Sequence, residues 1–97
     1  MAPFLYQDKI KTKIKELHEV EIEEVREAFL SHIACNERFI EETRKEHLKV
    51  HKKLWFIAET DQGRLLKVVV AEEGDSLELV TAYDPDEEDI FYYEKVK

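Results

Sequence analysis

The stretch from Leu54 to Tyr83, LWFIAETDQGRLLKVVVAEEGDSLELVTAY, constrains the fold more than any other part of the chain. Its three apolar runs are joined by Asp61-Gln62-Gly63 and by Glu73-Gly74-Asp75. Val, Ile, Phe, Trp and Thr fit a pleated, half-buried surface, and short Gly-containing joints make hairpins. The pattern predicts strands at 53–60, 64–72 and 76–83. Strands that follow one another this tightly form an antiparallel meander.

The flanks read as helices. Ile10, Ile14 and Leu17 fall at i, i+4 and i+7 between lysines 9, 11, 13 and 15, which predicts one apolar stripe on a helix over 7–17. The Glu19-Val20 pair breaks that phase. A second helix is predicted over 21–32, with Ile22, Val25, Phe29 and Leu30 inward and Glu21, Glu23 and Glu24 at its N-terminus. Residues 33–36 read as a connection, Arg38–Thr43 as a first strand, and 44–53 (RKEHLKVHKK) as a basic loop or short helical turn. Asp84-Pro85-Asp86 marks a turn, with Asp84 as helix cap and Pro85 at the first helical position, followed by a helix over 86–95. The expected class is α+β: two N-terminal helices, a four-stranded antiparallel sheet and a C-terminal helix. The helices are expected to cover one sheet face and leave the other, or an edge, for function. Trp55, Ile57, Leu66, Val68, Leu79 and Phe29 are the expected core, and one of Leu65 and Leu66 should be exposed.

A chain of 97 residues is one domain, 1–97. It buries only about 60–65% of the surface its unfolded form exposes, so a reactive site belongs on an open face or in a shallow groove. A single cysteine, Cys35, excludes an internal disulfide. Neither a signal-like apolar run nor a membrane span is legible, and the expected setting is cytoplasmic, with no membrane partner. The net charge of −8 is unevenly placed: residues 1–71 are neutral, and 72–97 hold two Lys against ten acids. Such a balance argues against tight, non-specific nucleic-acid binding, which relies on a basic footprint. It fits a solvated anionic surface, or a working face set apart from an acidic C-terminal element.

Several blocks resemble the BrnT-like toxins of the RelE superfamily, from bacterial toxin–antitoxin pairs. They are Lys15–His18 with Val20, Thr43-Arg44-x-x-His47, Leu54-Trp55-Phe56-Ile57, Glu59-Thr60, Gly63-Arg64-Leu65-Leu66-Lys67-Val68-Val69, and Thr81-Ala82-Tyr83-x-Pro85 with Glu88 and Tyr93. The match spans roughly residues 7–95. It implies a RelE/BrnT-like fold, metal-independent endoribonuclease action on RNA, no cofactor, and a cognate antitoxin as partner. The chain departs from such toxins in being acidic: after Tyr83, where they tend to carry arginines, it has Asp84, Asp86, Glu87, Glu88 and Asp89.

Metal-free RNA cleavage needs a base for the 2′-OH, cations for the phosphorane charge and an acid for the leaving oxygen. His47 is the proton-carrier candidate, because imidazole titrates near neutrality, or else an exposed loop histidine. Arg44 and Arg64 are the phosphate candidates, since guanidinium can bridge two oxygens; each is otherwise a surface charge. Lys67 and Lys45 are further RNA-binding candidates. On an unbulged strand Lys67 faces away from Arg64. Tyr83 ends a strand and serves either the core or the substrate. His18 closes the site, as the resemblance implies, or simply ends its helix favourably. His47 and His51, with Cys35 or Glu46, give too few ligands at recognised spacing for a zinc site, so a zinc-dependent hydrolase is a distant alternative. Phe91, Tyr92 and Tyr93 cannot all face inward on a helix. With Asp86, Glu87 and Glu88, Tyr92 forms a candidate partner-binding surface, and a non-catalytic interaction module of the same fold is the second reading.

Overall fold

The computed structural model describes residues 4–35, 38–41 and 52–96. Helices α1 (Asp8–His18) and α2 (Ile22–Ala34) precede strands β1 (Ile40–Glu41), β2 (Lys53–Glu59), β3 (Leu65–Glu73) and β4 (Ser76–Tyr83), and helix α3 (Glu87–Val96) follows. The strands form one antiparallel sheet in the order β1-β2-β3-β4. This is the α+β layout expected from the pattern, and the element ends agree to within two residues except at β1, where 42 and 43 lie outside the described residues.

The turns explain the register. Between β2 and β3, the buried Thr60 hydroxyl accepts the N–H groups of Gln62 (3.3 Å) and Arg64 (3.1 Å), and Gly63 takes φ +86°. Between β3 and β4, Gly74 takes φ +58° at the first of two central residues, where a two-residue hairpin favours Gly. The register then shifts between Val69 and Val70.

That register sorts the side chains. Phe56, Leu66, Val68, Val70, Leu79 and Ala82 face α1 and α2 and are all buried. The Phe29 ring meets Phe56 edge-on at 5.4 Å, and the buried His32 ring stacks on Phe56 at 4.1 Å. The six expected core residues are all buried, and Leu65 is the exposed member of its pair.

Four expectations need correction. First, the helices do not share one face. Trp55 and Lys67, which alternate with Phe56 and Val68, lie beneath α3: Trp55 meets Tyr93 at 5.8 Å and Lys67 pairs with Asp89. The apolar residues of both strand faces needed cover, and α3 supplies it. Second, Leu17 is 65% exposed. α1 ends in a left-handed residue, Glu19 (φ 54°), and Val20 folds back to bond Ile14 O, so Val20 is buried where Leu17 was expected to help. Third, Leu30 is exposed, and Ala28 and His32 complete the inner face of α2 instead. Fourth, Asp84 does not cap α3. Asp86 does: its carboxylate accepts the Asp89 N–H at 2.8 Å, and Asp89 reaches back to the Asp86 N–H at 3.3 Å.

The sequence pattern left the N-terminal segment unassigned. Phe4 is buried against Phe29, and Leu5 makes an isolated parallel bridge to Glu78 through bonds of 2.8 and 2.7 Å.

Candidate functional site

The end of β4 brings together the described catalytic and RNA-binding candidates, His18, Arg64, Lys67 and Tyr83. Tyr83 pairs across the sheet with Lys67 on β3. The His18 ring, at the last residue of α1, meets the Tyr83 ring edge-on at 5.4 Å. Lys67 Nζ lies 5.7 Å from the Tyr83 ring centroid and 4.4 Å from that of Trp55. Beside them an open groove of about 550 Å³ runs along Glu16, Leu17, His18, Glu19, Tyr83 and Asp84. A histidine and a phenol thus share the rim of this groove, and a buried ammonium group lies on the far side of the phenol ring. No motif spacing signals this, because residues 18, 67 and 83 meet only through the tertiary fold.

Arg64 stands next to this rim in the β2–β3 turn, and it is fully engaged. Its Nε and Nη2 donate to the two oxygens of Asp84 at 2.8 and 3.0 Å. Its Nη1 donates to Glu24 at 3.1 Å and to the Glu19 carbonyl at 2.9 Å, and Nη2 also reaches the His18 carbonyl at 3.2 Å. Guanidinium has five N–H groups, and each has a partner here. The two carbonyls close α1, whose negative dipole end favours a cation. Glu24 in turn receives the Glu21 N–H at the start of α2. Arg64 therefore ties the α1–α2 junction to the β3–β4 end of the sheet. The Asp84 hydrogen bonds raise the already high pKa of Arg64, and Arg64 holds the Asp84 carboxyl below its usual range.

Lys67 is buried, as lysines seldom are without a partner. Burial lowers its pKa, but Asp89 at 2.8 Å and the Tyr83 phenol outweigh this, and the net direction is upward. Burial raises Asp89, yet Lys67 and Asp86 outweigh it and leave the carboxyl below its ordinary value. As strand parity requires, Lys67 faces α3 while Arg64 turns to the α1–α2 junction; the register shift at Val69/Val70 lies beyond both.

Arg44, Lys45 and His47 lie outside the described residues, as does the segment holding His51. Their expected meeting with Arg64 has no described geometry. On the partner-binding side, Asp86 spends its carboxylate on capping α3, whereas Glu87 and Glu88 face solvent. Tyr92 is 50% exposed with its ring stacked toward Trp55 at 6.0 Å, and Phe91 is 58% exposed. Together with Lys95 they border a shallow apolar hollow. Asp84 and Asp89 were missed as site residues. Asp89 was legible in principle, since Asp86-x-x-Asp89 has capping-box spacing.

Among the described residues, no group of three His, Cys, Asp or Glu side chains is placed to hold a metal ion, and no helix is long and apolar enough to cross a membrane. The chain matches no protein-family model, no curated protein and no solved structure.

Proposed function

We propose that the protein is the toxin component of a toxin–antitoxin pair and cleaves RNA without a metal, using His18 and Tyr83 at the groove rim and the Lys67 ammonium group behind them. The observation that carries this reading is their convergence: a His ring at 5.4 Å from a Tyr ring that also lies under a Lys ammonium group at 5.7 Å. Phosphodiester cleavage needs a proton carrier near a cation. His18 is the proton carrier in this proposal, and Lys67 opposes the negative charge that develops on the phosphorane oxygens. Tyr83, which borders the groove, offers a ring on which a base stacks. Arg44, Lys45 and His47 are retained on sequence grounds as further RNA contacts and a second proton carrier. Arg64 shifts from catalytic group to the residue that fixes this rim, with one edge turned to Asp84. The cognate antitoxin is proposed to dock on the outer face of α3.

The test is induction of wild type, His18→Ala, Tyr83→Phe and Lys67→Gln in a bacterial host, with purified RNA cleavage measured in EDTA. Growth arrest and cleavage by the wild type, both lost in His18→Ala, is the expected result. Undiminished cleavage in all three variants would place the chemistry elsewhere.

A second reading, a non-catalytic interaction module, is favoured by one observation: every donor of Arg64 is already satisfied. It predicts no cleavage by any form, with a partner captured through Phe91 and Tyr92.

A further inference from the structure

The two cations at the candidate site, Arg64 and Lys67, are each covered by a carboxylate from one short acidic segment. Asp84 grips the Nε/Nη2 edge of Arg64 with both oxygens, and Asp89 holds Lys67 Nζ. The segment between them contains the cap of α3. We propose that Asp84 and Asp89 occupy the phosphodiester positions of this site, so that residues 84–89 hold it closed until single-stranded RNA displaces them. This deepens the ribonuclease reading and rests on it.

The geometry supports substitution at each position. A carboxylate on the Nε/Nη2 edge of guanidinium uses the same two parallel bonds as a phosphate. The opposite side of Arg64 is held by Glu24 and by the carbonyls of His18 and Glu19. Its orientation therefore does not depend on Asp84, and the exchangeable edge is preorganised. Asp84 is 63% exposed against 27% for Arg64, so it can swing into solvent without opening the core. Exposed ion pairs contribute little stability, so exchanging one anion for another costs little. Asp89 is better buried and sits in the first turn of α3. Releasing Lys67 requires that turn to shift, which would also bare the Trp55 and Tyr83 rings beneath the ammonium group. The two contacts thus open in order, Arg64 before Lys67. The remaining anions at the groove, Glu16 and Glu19, touch neither cation side chain through their carboxylates.

The experiment measures binding of a 2′-O-methyl, non-cleavable single-stranded oligonucleotide across a salt series. Failure of the catalytic reading therefore cannot mask the result. Asp84→Ser/Asp89→Ser is compared with Glu16→Gln/Glu19→Gln, which removes the same amount of charge from the groove without uncovering either cation. The same two phosphate contacts form in wild type and variant once Asp84 and Asp89 are out of the way, so the slope of log affinity against log salt should stay close to the wild-type value in every form. The affinity of the first variant at low salt should rise at least about tenfold, because no carboxylate has to be displaced, and the control should gain less than about threefold. Equal gains in both variants would show that the acids only repel RNA, and would overturn the proposal. So would an unchanged affinity in a folded Asp84→Ser/Asp89→Ser protein. If the double variant fails to fold, Asp84→Ser alone should still raise the affinity about threefold or more. In the wild type, the NMR signal of Arg64 Nε–H should also move when the oligonucleotide is added at low salt; a static signal counts against displacement.

Discussion

The two faces of the sheet are built from alternate residues of the same strands, yet they differ in kind. Toward α1 and α2, β2 and β3 present Phe56, Leu66, Val68 and Val70 to Phe29, His32, Ile14 and Val25. Toward α3 they present Trp55, Ile57 and Lys67, with Tyr83 at the edge, to Ile90, Tyr93 and Asp89. The first face is closed by aliphatic and aromatic packing, into which the buried His32 ring is stacked on Phe56. The second mixes rings with an ion pair, and every polar group there must find a partner or cost stability. One face is packed around Phe56, and the other holds a charged pair beneath α3.

The largest expected effect breaks the first face. Phe56→Ala removes a fully buried ring that touches Phe29, His32 and Phe39. Such truncations cost about 3–5 kcal/mol, a large part of the roughly 5–15 kcal/mol that holds a domain together. Urea unfolding should place the midpoint far below that of the wild type. A loss under about 1 kcal/mol would mean that this face is not the principal core.

The next effect falls on the second face. Asp89→Ala leaves the Lys67 ammonium group buried without its carboxylate and should cost about 2 kcal/mol, less than removal of a partner from a fully buried pair. Replacing both residues, as Lys67→Met/Asp89→Leu, should recover most of that loss, because apolar packing substitutes well for such a pair. If the double variant is as unstable as Asp89→Ala, α3 depends on more than charge compensation. By the proposal above, the same double variant should not cleave RNA.

How much of this was legible differs by face for a physical reason. The strands were readable because alternation has a period of two and glycine marks the turns at 63 and 74. Leu17 and Leu30 were misplaced because helical periodicity gives the direction of an apolar stripe but not its width, and the returning chain at Val20 decides where it ends. The partners of Arg64 lie 40 residues before it at Glu24 and 20 after it at Asp84. No local spacing encodes such a meeting. Lys67 was placed on the correct face by parity, but its carboxylate comes from a helix expected elsewhere.

Acid should act on the second face before the first. Asp84 and Asp89 have folded pKa values below their ordinary value of 3.8. A depressed carboxyl contributes stability that is present above the unfolded pKa and lost as pH falls through the folded one. Stability should therefore hold from neutrality down to about pH 4 and then decline. In Asp89→Asn that decline should be shallower, and thermal melts between pH 2 and 7 would show it. Lys67 adds the opposite limb: its raised pKa gives stability that is present below 10.5 and lost as pH rises through the folded value. An acid limb identical in Asp89→Asn and wild type would show that the pair contributes nothing to α3 docking.

The smallest effect on stability should come from the outer side of α3, which belongs to neither face. Phe91 and Tyr92 are half-exposed or more, so Phe91→Ser/Tyr92→Ser removes few buried contacts, although Tyr92 loses its stacking toward Trp55. The expected cost is within about 1 kcal/mol. Their proposed work is intermolecular: two aromatic anchors beside Glu87 and Glu88 suit a partner segment that is apolar at its centre and basic at its margin. Co-expression with the protein encoded by the adjacent reading frame gives the readout. The Phe91→Ser/Tyr92→Ser variant should fold, melt near the wild-type temperature and fail to co-purify with that partner. Glu87→Gln/Glu88→Gln should keep the complex but slow its formation, most visibly at low salt, since rim charges act mainly on association rate. A complex that survives loss of both aromatics would move the partner to another surface, and would leave the sheet-facing side of α3 as the only part of that helix with a role.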